Sequence, residues 1–390
     1  MKLRLHRYDD DIIKDLGLAF AFTNSERNAL GCPKKWHFIY REELSSKRTS
    51  GAFAWGIAWH MLMEDLFNYW KEYDKVIYYN DPFFDSCFEK IEQYLEEEEI
   101  DPEEVLPDMR IALEGYLHRF GDIFSQFKVL EVEVPLRYPI SDFKGRPFKT
   151  HLYLDEYEDR LEIAQTLSDN MIDVTMPFWV VGRADAIVQS RVTKEIFVFD
   201  HKTTGSINRF LSTCEVDPQL NSYACMLEWE KKHGSLQQYK HNKIGGIIYG
   251  MTSSGSTSLP KKLKNGTFSK AKSNKTPSWL YKKTVGDDES YSEHIMNLYD
   301  KVDMLWHCRE WYPVDINSIK RWKMESYGIA RRLGDMYRIL ALFKNSDTWV
   351  TPRVPICKTT GYCQFKQICI SDNELMRSYF KKEKRIYWSK

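Results

Sequence analysis

Residues 178–204 read FWVVGRADAIVQSRVTKEIFVFDHKTT, and this stretch decides the fold. Phe178 to Val188 and Glu195 to Asp200 are apolar runs of strand length, rich in β-branched and aromatic residues. The polar turn Gln-Ser-Arg-Val-Thr-Lys separates them, so the two strands are expected to be antiparallel neighbours. Side chains alternate along a strand, which puts Asp200 and Lys202 on one face and His201 on the other. The same hairpin brings Asp185 and Asp200 to one end of the sheet.

Two carboxylates that close repel each other unless a divalent cation lies between them, and an oxygen-rich site suits Mg²⁺ or Mn²⁺. A lysine beside them can orient or deprotonate a water and offset charge on a phosphate under attack. An isolated D-x-K triplet is more often a plain surface ion pair. Here the apolar run Ile196 to Phe199 leads directly into it, and a G-x-x-D strand precedes it at hairpin distance. Asp185, Asp200 and Lys202 are therefore the expected catalytic centre.

Outward from this hairpin, Val129 to Tyr138 alternates as a half-buried strand, and Lys243 to Met251 reads as another. A helix is expected from about Asp217 to Lys232, with Gln219 and Tyr223 four apart on one face. N-terminal to the sheet, one helix is expected over Asn24–Ser45 and an aromatic one over Phe53–Tyr73. The latter carries Gly56, His60 and Glu64 at one-turn spacing. A histidine on an aromatic helix is most often a core residue, but beside a carboxylate site His60 becomes a candidate ligand. Further helices are expected over the acidic stretch, over Pro102–Phe120 and over Ser290–Phe343. The order, helices then a short mixed sheet then helices, is that of an α/β core wrapped by helical arms.

Composition narrows the class. The chain has 390 residues, 43% hydrophobic and 29% charged, with zero formal net charge, as for a globular protein with a large core. The charge is unevenly spread: Glu89 to Glu104 is acidic, while Lys261 to Lys283 carries eight lysines and no acid. No apolar run is long enough to span a membrane, so no membrane association is expected. The N-terminus lacks the apolar core of a signal peptide, so a cytoplasmic location is the default expectation. Disulfides are not expected there.

The series G-x-x-x-H-x-x-x-E (Gly56, His60, Glu64), G-R-x-D (Gly182 to Asp185), D-x-K-T (Asp200 to Thr203) and Q-x-x-x-Y (Gln219, Tyr223) resembles the RecB-type nucleases of the PD-(D/E)XK superfamily. The order is that of the family and covers nearly the whole chain; Glu133, on the strand before, is a looser match. The resemblance implies a restriction-endonuclease-like α/β core with a short mixed sheet. It implies His60, Asp185, Asp200 and the main-chain carbonyl of His201 as metal ligands, Lys202 as the catalytic lysine, and Gln219 and Tyr223 as residues that position DNA. The expected organisation is one nuclease domain over 1–390. It comprises an N-terminal helical arm at 20–50, a catalytic core at 51–255, a basic loop at 256–285 and a C-terminal helical arm at 286–390.

Cys32, in a Cys-Pro pair, and Cys357, Cys363 and Cys369, at equal spacings near the C-terminus, are four thiols from remote ends of the chain. Together they can hold a 4Fe–4S cluster or a zinc ion that staples the two arms, or they are unrelated. Iron–sulfur members of the RecB-like family use one early and three late cysteines, and the resemblance favours the cluster, although the family's commoner C-x2-C-x5-C differs at Cys357. The other four cysteines read as buried apolar side chains.

In the basic loop, Lys261, Lys262, Lys264 and Lys270 are interleaved with Phe268, Trp279 and Tyr281. Lysines neutralise phosphates and aromatic faces stack on unpaired bases. With Arg183, these residues are the expected DNA contacts. The expected activity is a Mg²⁺- or Mn²⁺-dependent exonuclease on single-stranded DNA ends, serving recombination, repair or phage DNA processing. The competing expectation is a non-catalytic DNA-binding scaffold with the same fold. No phosphate-binding helicase loop is present, so unwinding is expected from a helicase or recombination partner.

Overall fold

The structure, a computed structural model, describes residues 20–40, 42–46, 51–121, 123–141, 149–153, 171–175, 178–214, 217–254, 261–266, 277, 280, 304, 306–342, 363–370 and 374–382. In chain order the first elements are strand β1 (Phe20–Phe22), helices α1 (Asn24–Ala29) and α2 (Pro33–Tyr40), and strand β2 (Leu44–Ser46). Helices α3 (Gly51–Tyr73), α4 (Phe83–Glu97), α5 (Pro102–Phe120) and α6 (Ile123–Gln126) follow. Then come strands β3 (Phe127–Ile140), β4 (Lys149–Tyr153), β5 (Met171–Thr175), β6 (Phe178–Ser190) and β7 (Ile196–Thr204). Helices α7 (Ile207–Cys214) and α8 (Pro218–His233) lead to strands β8 (Ile244–Ser253) and β9 (His307–Tyr312). The last are α9 (Ile316–Leu342), α10 (Lys366–Ile370), α11 (Glu374–Arg377) and strand β10 (Phe380–Lys382).

The main sheet has six strands and mixed pairing. β6 is the pivot, with antiparallel β3 along one edge from Phe127↔Ser190 to Ile140↔Phe178. Its other edge is shared: β7 pairs antiparallel from Gln189↔Ile196 to Ala186↔Phe199, and β1 pairs parallel with Phe178 to Val180. β8 then adds parallel to β7, and β9 antiparallel to β8. This is an α/β sheet packed against helices, as expected from the pattern of the sequence.

An apolar core lies on each side of the sheet. One contains Trp36, Leu136, Val198, Tyr249, Met226 and Trp322; the other contains Trp59, Phe67, Trp70, Tyr116, Phe197 and Phe199. A buried phenylalanine such as Phe67 contributes roughly 2–3 kcal/mol of apolar transfer. Helix α3 forms because Trp55, Trp59, Leu62, Met63, Leu66, Phe67 and Trp70 recur at helical spacing and all bury. The α8 start is equally local: the Asp217 side chain accepts from the Gln219 amide at 2.8 Å and Pro218 takes the first helical turn.

Two expectations are corrected. The single helix over Asn24–Ser45 is two helices, broken at Gly31-Cys32-Pro33, followed by strand β2. Proline is at home in a first turn but cannot supply the amide that an uninterrupted helix needs. Ser290–Phe343 is not helical throughout, because His307–Tyr312 is a strand; pairing with β8 overrides the helical reading. The small ladders β2–β10 and β4–β5 carried no clear alternation in sequence. Among the described residues no helix is long and apolar enough to cross a membrane.

Candidate active site

The ladder between β6 and β7 stops at Ala186↔Phe199. One step further, where the register would pair Asp185 with Asp200, the His201 amide instead donates to Asp185 Oδ2 at 2.6 Å. Both acids thus stand where the two strands part. The β3–β6 register would likewise put Glu133 opposite Asp185, and that pair is missing from the ladder. Glu133 has φ 51°, a left-handed conformation that costs a side-chain-bearing residue about 1–2 kcal/mol. Here the strands exchange faces: Ala184 and Val134 enter one core, Ala186 and Val132 the other. The irregularity turns acids out of a sheet whose regular pleat would otherwise dictate their direction.

Helices on both faces complete the site. From α3, His60 Nδ1 lies 3.5 Å from Asp185 Oδ2. Gly56, one turn earlier, makes this possible, because a Cβ there would come within 2.9 Å of Thr203 Oγ1 on β7. From α8, the Tyr223 hydroxyl lies 2.9 Å from Asp200 Oδ1 and 2.8 Å from the Arg183 carbonyl oxygen, and it accepts from Gln219 Nε2 at 2.8 Å. Gly182 serves that approach, since a Cβ there would meet Met226 Cε at 3.1 Å. The glycines of the two motifs are explained by helix-to-strand contact rather than by chemistry.

Asp200 is only 1% exposed, and its Oδ2 is paired with Lys202 Nζ at 2.5 Å. Burial alone would lower Lys202, yet the carboxylates of Asp200 and Asp185 hold its ammonium above the ordinary range. Burial pushes Asp185 up to about 6; His60, Lys202 and the His201 amide pull down while the Asp200 charge adds to the rise. Glu133 is pushed up to about 7 by burial, against Arg183 and with Asp185, Glu64 and Asp200 adding. Arg183 Nε contacts Glu133 Oε2 at 2.5 Å. Such mutual destabilisation of carboxylates is what a divalent cation relieves.

The donor set fits a hard cation: two adjacent carboxylates whose charges oppose each other, with an imidazole beside them. The set is gathered but not closed, since among the described residues no three His, Cys, Asp or Glu side chains already form a coordination group. The His201 imidazole is not part of it. That ring packs on Phe67 and Phe199 with centroids 4.9 Å away, neither nitrogen has a hydrogen-bond partner, and burial holds it neutral, well below its usual range. His201 meets the site through its main chain alone.

The remaining expected residues divide. Tyr223 is 3% exposed, so it backs Asp200 from within the protein, while Gln219 stands nearer the surface. Arg183 is exposed, and Lys261, Lys262 and Lys264 are exposed beyond β8; Lys270 and Trp279 lie outside the described residues. Cys357 does too, and Cys32, Cys363 and Cys369 form no metal-binding group among the described residues. The two arms nevertheless meet: Phe38 packs on Phe365 at 5.5 Å, Arg377 contacts Glu42 at 2.5 Å, and β10 pairs with β2. The sequence reading missed the Arg183–Glu133 pair and the Tyr223–Asp200 contact. The strand registers were the signal for the first; only the placement of α8 reveals the second.

Comparison with known proteins agrees with this geometry. Residues 25–370 match the model of the PD-(D/E)XK nuclease superfamily, and the match spans β3, β6, β7, β8 and β9 of the main sheet, both flanking helices and every acidic-site residue described above. No individual curated protein matches the chain.

Proposed function

The chain belongs to the PD-(D/E)XK nuclease superfamily, and from that premise we propose that it is a divalent-metal-dependent DNA nuclease centred on Asp185, Asp200 and Lys202. One observation carries the reading: two carboxylates stand at the point where β6 and β7 part, with the Lys202 ammonium 2.5 Å from one of them. His60, Asp185, Asp200 and the main-chain carbonyl of His201 would hold Mg²⁺ or Mn²⁺. When bound, such a cation supplies Lewis-acid polarisation of the phosphate and acidifies water.

The protein's own groups do the rest. Lys202, salt-bridged as an ammonium, donates to the attacking water or to a phosphate oxygen and offsets the charge that builds there. Tyr223 fixes the Asp200 carboxylate, and Gln219, which donates to the Tyr223 hydroxyl, reaches towards the DNA strand. Arg183 and the lysines beyond β8 meet backbone phosphates. The interleaved lysines and aromatics of the basic loop support an exonuclease acting on single-stranded ends in recombination, repair or phage DNA processing, with a helicase partner for duplexes. The packed N- and C-terminal arms favour a stapling role for Cys32, Cys357, Cys363 and Cys369, as a 4Fe–4S or zinc site.

The test is degradation of end-labelled single- and double-stranded DNA with Mg²⁺, Mn²⁺ or EDTA, alongside Lys202→Ala. Metal-dependent cleavage that the variant lacks is expected, and the position of the label reports polarity. Intact DNA binding without cleavage of any substrate would replace this reading with that of a non-catalytic scaffold.

A further inference from the structure

The acids around this site fall into two pairs with different counter-charges. Asp185 and Asp200 face His60 and Lys202. Glu133 is in contact with Arg183, whose charge also acts on Glu64. The Arg183 Nε is 2.5 Å from Glu133 Oε2, and the two side chains are 40% and 17% exposed. His60 and Glu64 are four apart on α3, hence on one face, and Arg183 and Asp185 are two apart on β6. The two acid–cation groups therefore lie side by side, between the same helix and the same strand.

We propose that Arg183 is a built-in cation occupying the position a second divalent ion would take, so that the site loads a single metal ion. The inference rests on the metal-dependent reading above. Two-metal centres need additional carboxylates beside the first ion, and Glu133 and Glu64 are those carboxylates. A guanidinium is always charged, weakly hydrated and shaped to fit a carboxylate, so it offsets the charge of Glu133 without competing for the first ion's ligands. Glu133 is held in its left-handed conformation at this point, a cost that an acid merely facing solvent would not require.

The experiment counts Mn²⁺ bound per chain, by calorimetry and by the loss of the free-ion paramagnetic resonance signal. It uses full-length wild type, Arg183→Met, Arg183→Lys, Glu133→Gln, Asp200→Asn and the double variant R183M/E133Q. Arg183→Met should bind one Mn²⁺ more than wild type, the double variant should lose that ion again, and Arg183→Lys and Glu133→Gln should keep the wild-type count. An unchanged count in Arg183→Met, an extra ion that persists without Glu133, or an extra ion in Arg183→Lys would each overturn the inference. Asp200→Asn separates the two claims. If it leaves the wild-type count unchanged, the metal-dependent reading itself fails; if it removes an ion while Arg183→Met adds none, only the role of Arg183 falls.

Discussion

The His201 amide donates to Asp185 Oδ2 at 2.6 Å, immediately beyond the last pair of the β6–β7 ladder. A main-chain donor that would have continued the sheet is diverted to a carboxylate. The strands part there, beside Asp185, Asp200 and Lys202. Their separate roles lead to distinct expectations.

Lys202 contributes charge at the site: it is paired with the buried Asp200 at 2.5 Å, and Asp185 adds to the field that holds its ammonium. Lys202→Ala should lower kcat by about 10²–10³-fold, the range for loss of one preorganised stabilising group, and should also lower the melting temperature, because Asp200 is left buried without its counter-charge. Single-turnover cleavage rates and a thermal melt check both halves. A variant that cleaves at the wild-type rate would remove the lysine from the chemistry.

Tyr223 acts through Asp200. Tyr223→Phe deletes the hydroxyl that Asp200 Oδ1 and the Arg183 carbonyl share, and leaves Gln219 without its acceptor. The expected loss is about 10–100-fold in Mn²⁺ affinity, as for other groups that orient a ligand, and about 1–2 kcal/mol of stability. Gln219→Ala should instead weaken DNA binding and leave metal affinity nearly intact. The reverse pattern in metal and DNA titrations would exchange the two roles.

Gly56 sets how closely α3 approaches β7. Gly56→Ala brings a Cβ to within 2.9 Å of Thr203 Oγ1, so the helix must lift and His60 must leave Asp185. Overpacking of this kind costs about 1–3 kcal/mol. The double variant G56A/T203A removes the obstructing hydroxyl and should recover most of that loss. Denaturation of the two single variants and the double variant closes the cycle, and strictly additive effects would show that the two residues do not meet in solution.

His307 is 1% exposed, its Nδ1 lies 3.2 Å from Thr252 Oγ1, and its ring stacks near Trp59. Burial, with Arg119 nearby, lowers its pKa from 6.5 to about 3. Between these values the unfolded chain holds a proton that the folded chain refuses, so stability present above pH 6.5 is lost as the pH falls towards 3. The slope is about 1.4 kcal/mol per pH unit, or about 2 kcal/mol between pH 7 and pH 5. His307→Gln should lose that much less than wild type over the same interval in urea titrations. Equal pH dependence would mean that the histidine is hydrated in the folded state.

The arms give the last expectation. Cys363→Ser should abolish any visible charge-transfer absorbance of the anaerobically purified protein and loosen the packing of Phe365 on Phe38. A colourless wild type with stoichiometric zinc would assign the thiols to zinc, and one with neither metal would leave the arms held by their apolar contacts and β2–β10.

Much of the site could be read from the chain because strand alternation is strictly local. Asp200 and Lys202 share a face, and Asp185 follows from the length of one turn. Helical spacing similarly puts Gln219 beside Tyr223, and His60 one turn from both Gly56 and Glu64. What escaped were relations between elements. Nothing in HCREWY marks His307–Tyr312 as a strand until β8 offers it an edge. Nothing in Asn24–Ser45 marks the short ladder that β2 makes with β10, some 330 residues away along the chain.

The sequence by itself therefore determined the composition of the candidate active centre and the order of the elements that carry it, because both depend on spacing along one strand or one helix. The tertiary structure decided which charges face one another. Arg183 beside Glu133, Tyr223 beneath Asp200 and the His201 imidazole turned into the aromatic core all depend on how α3 and α8 seat on the sheet. That seating is governed by close packing at Gly56 and Gly182 and by a left-handed residue at Glu133, where non-local contacts outweigh the local preference of the chain.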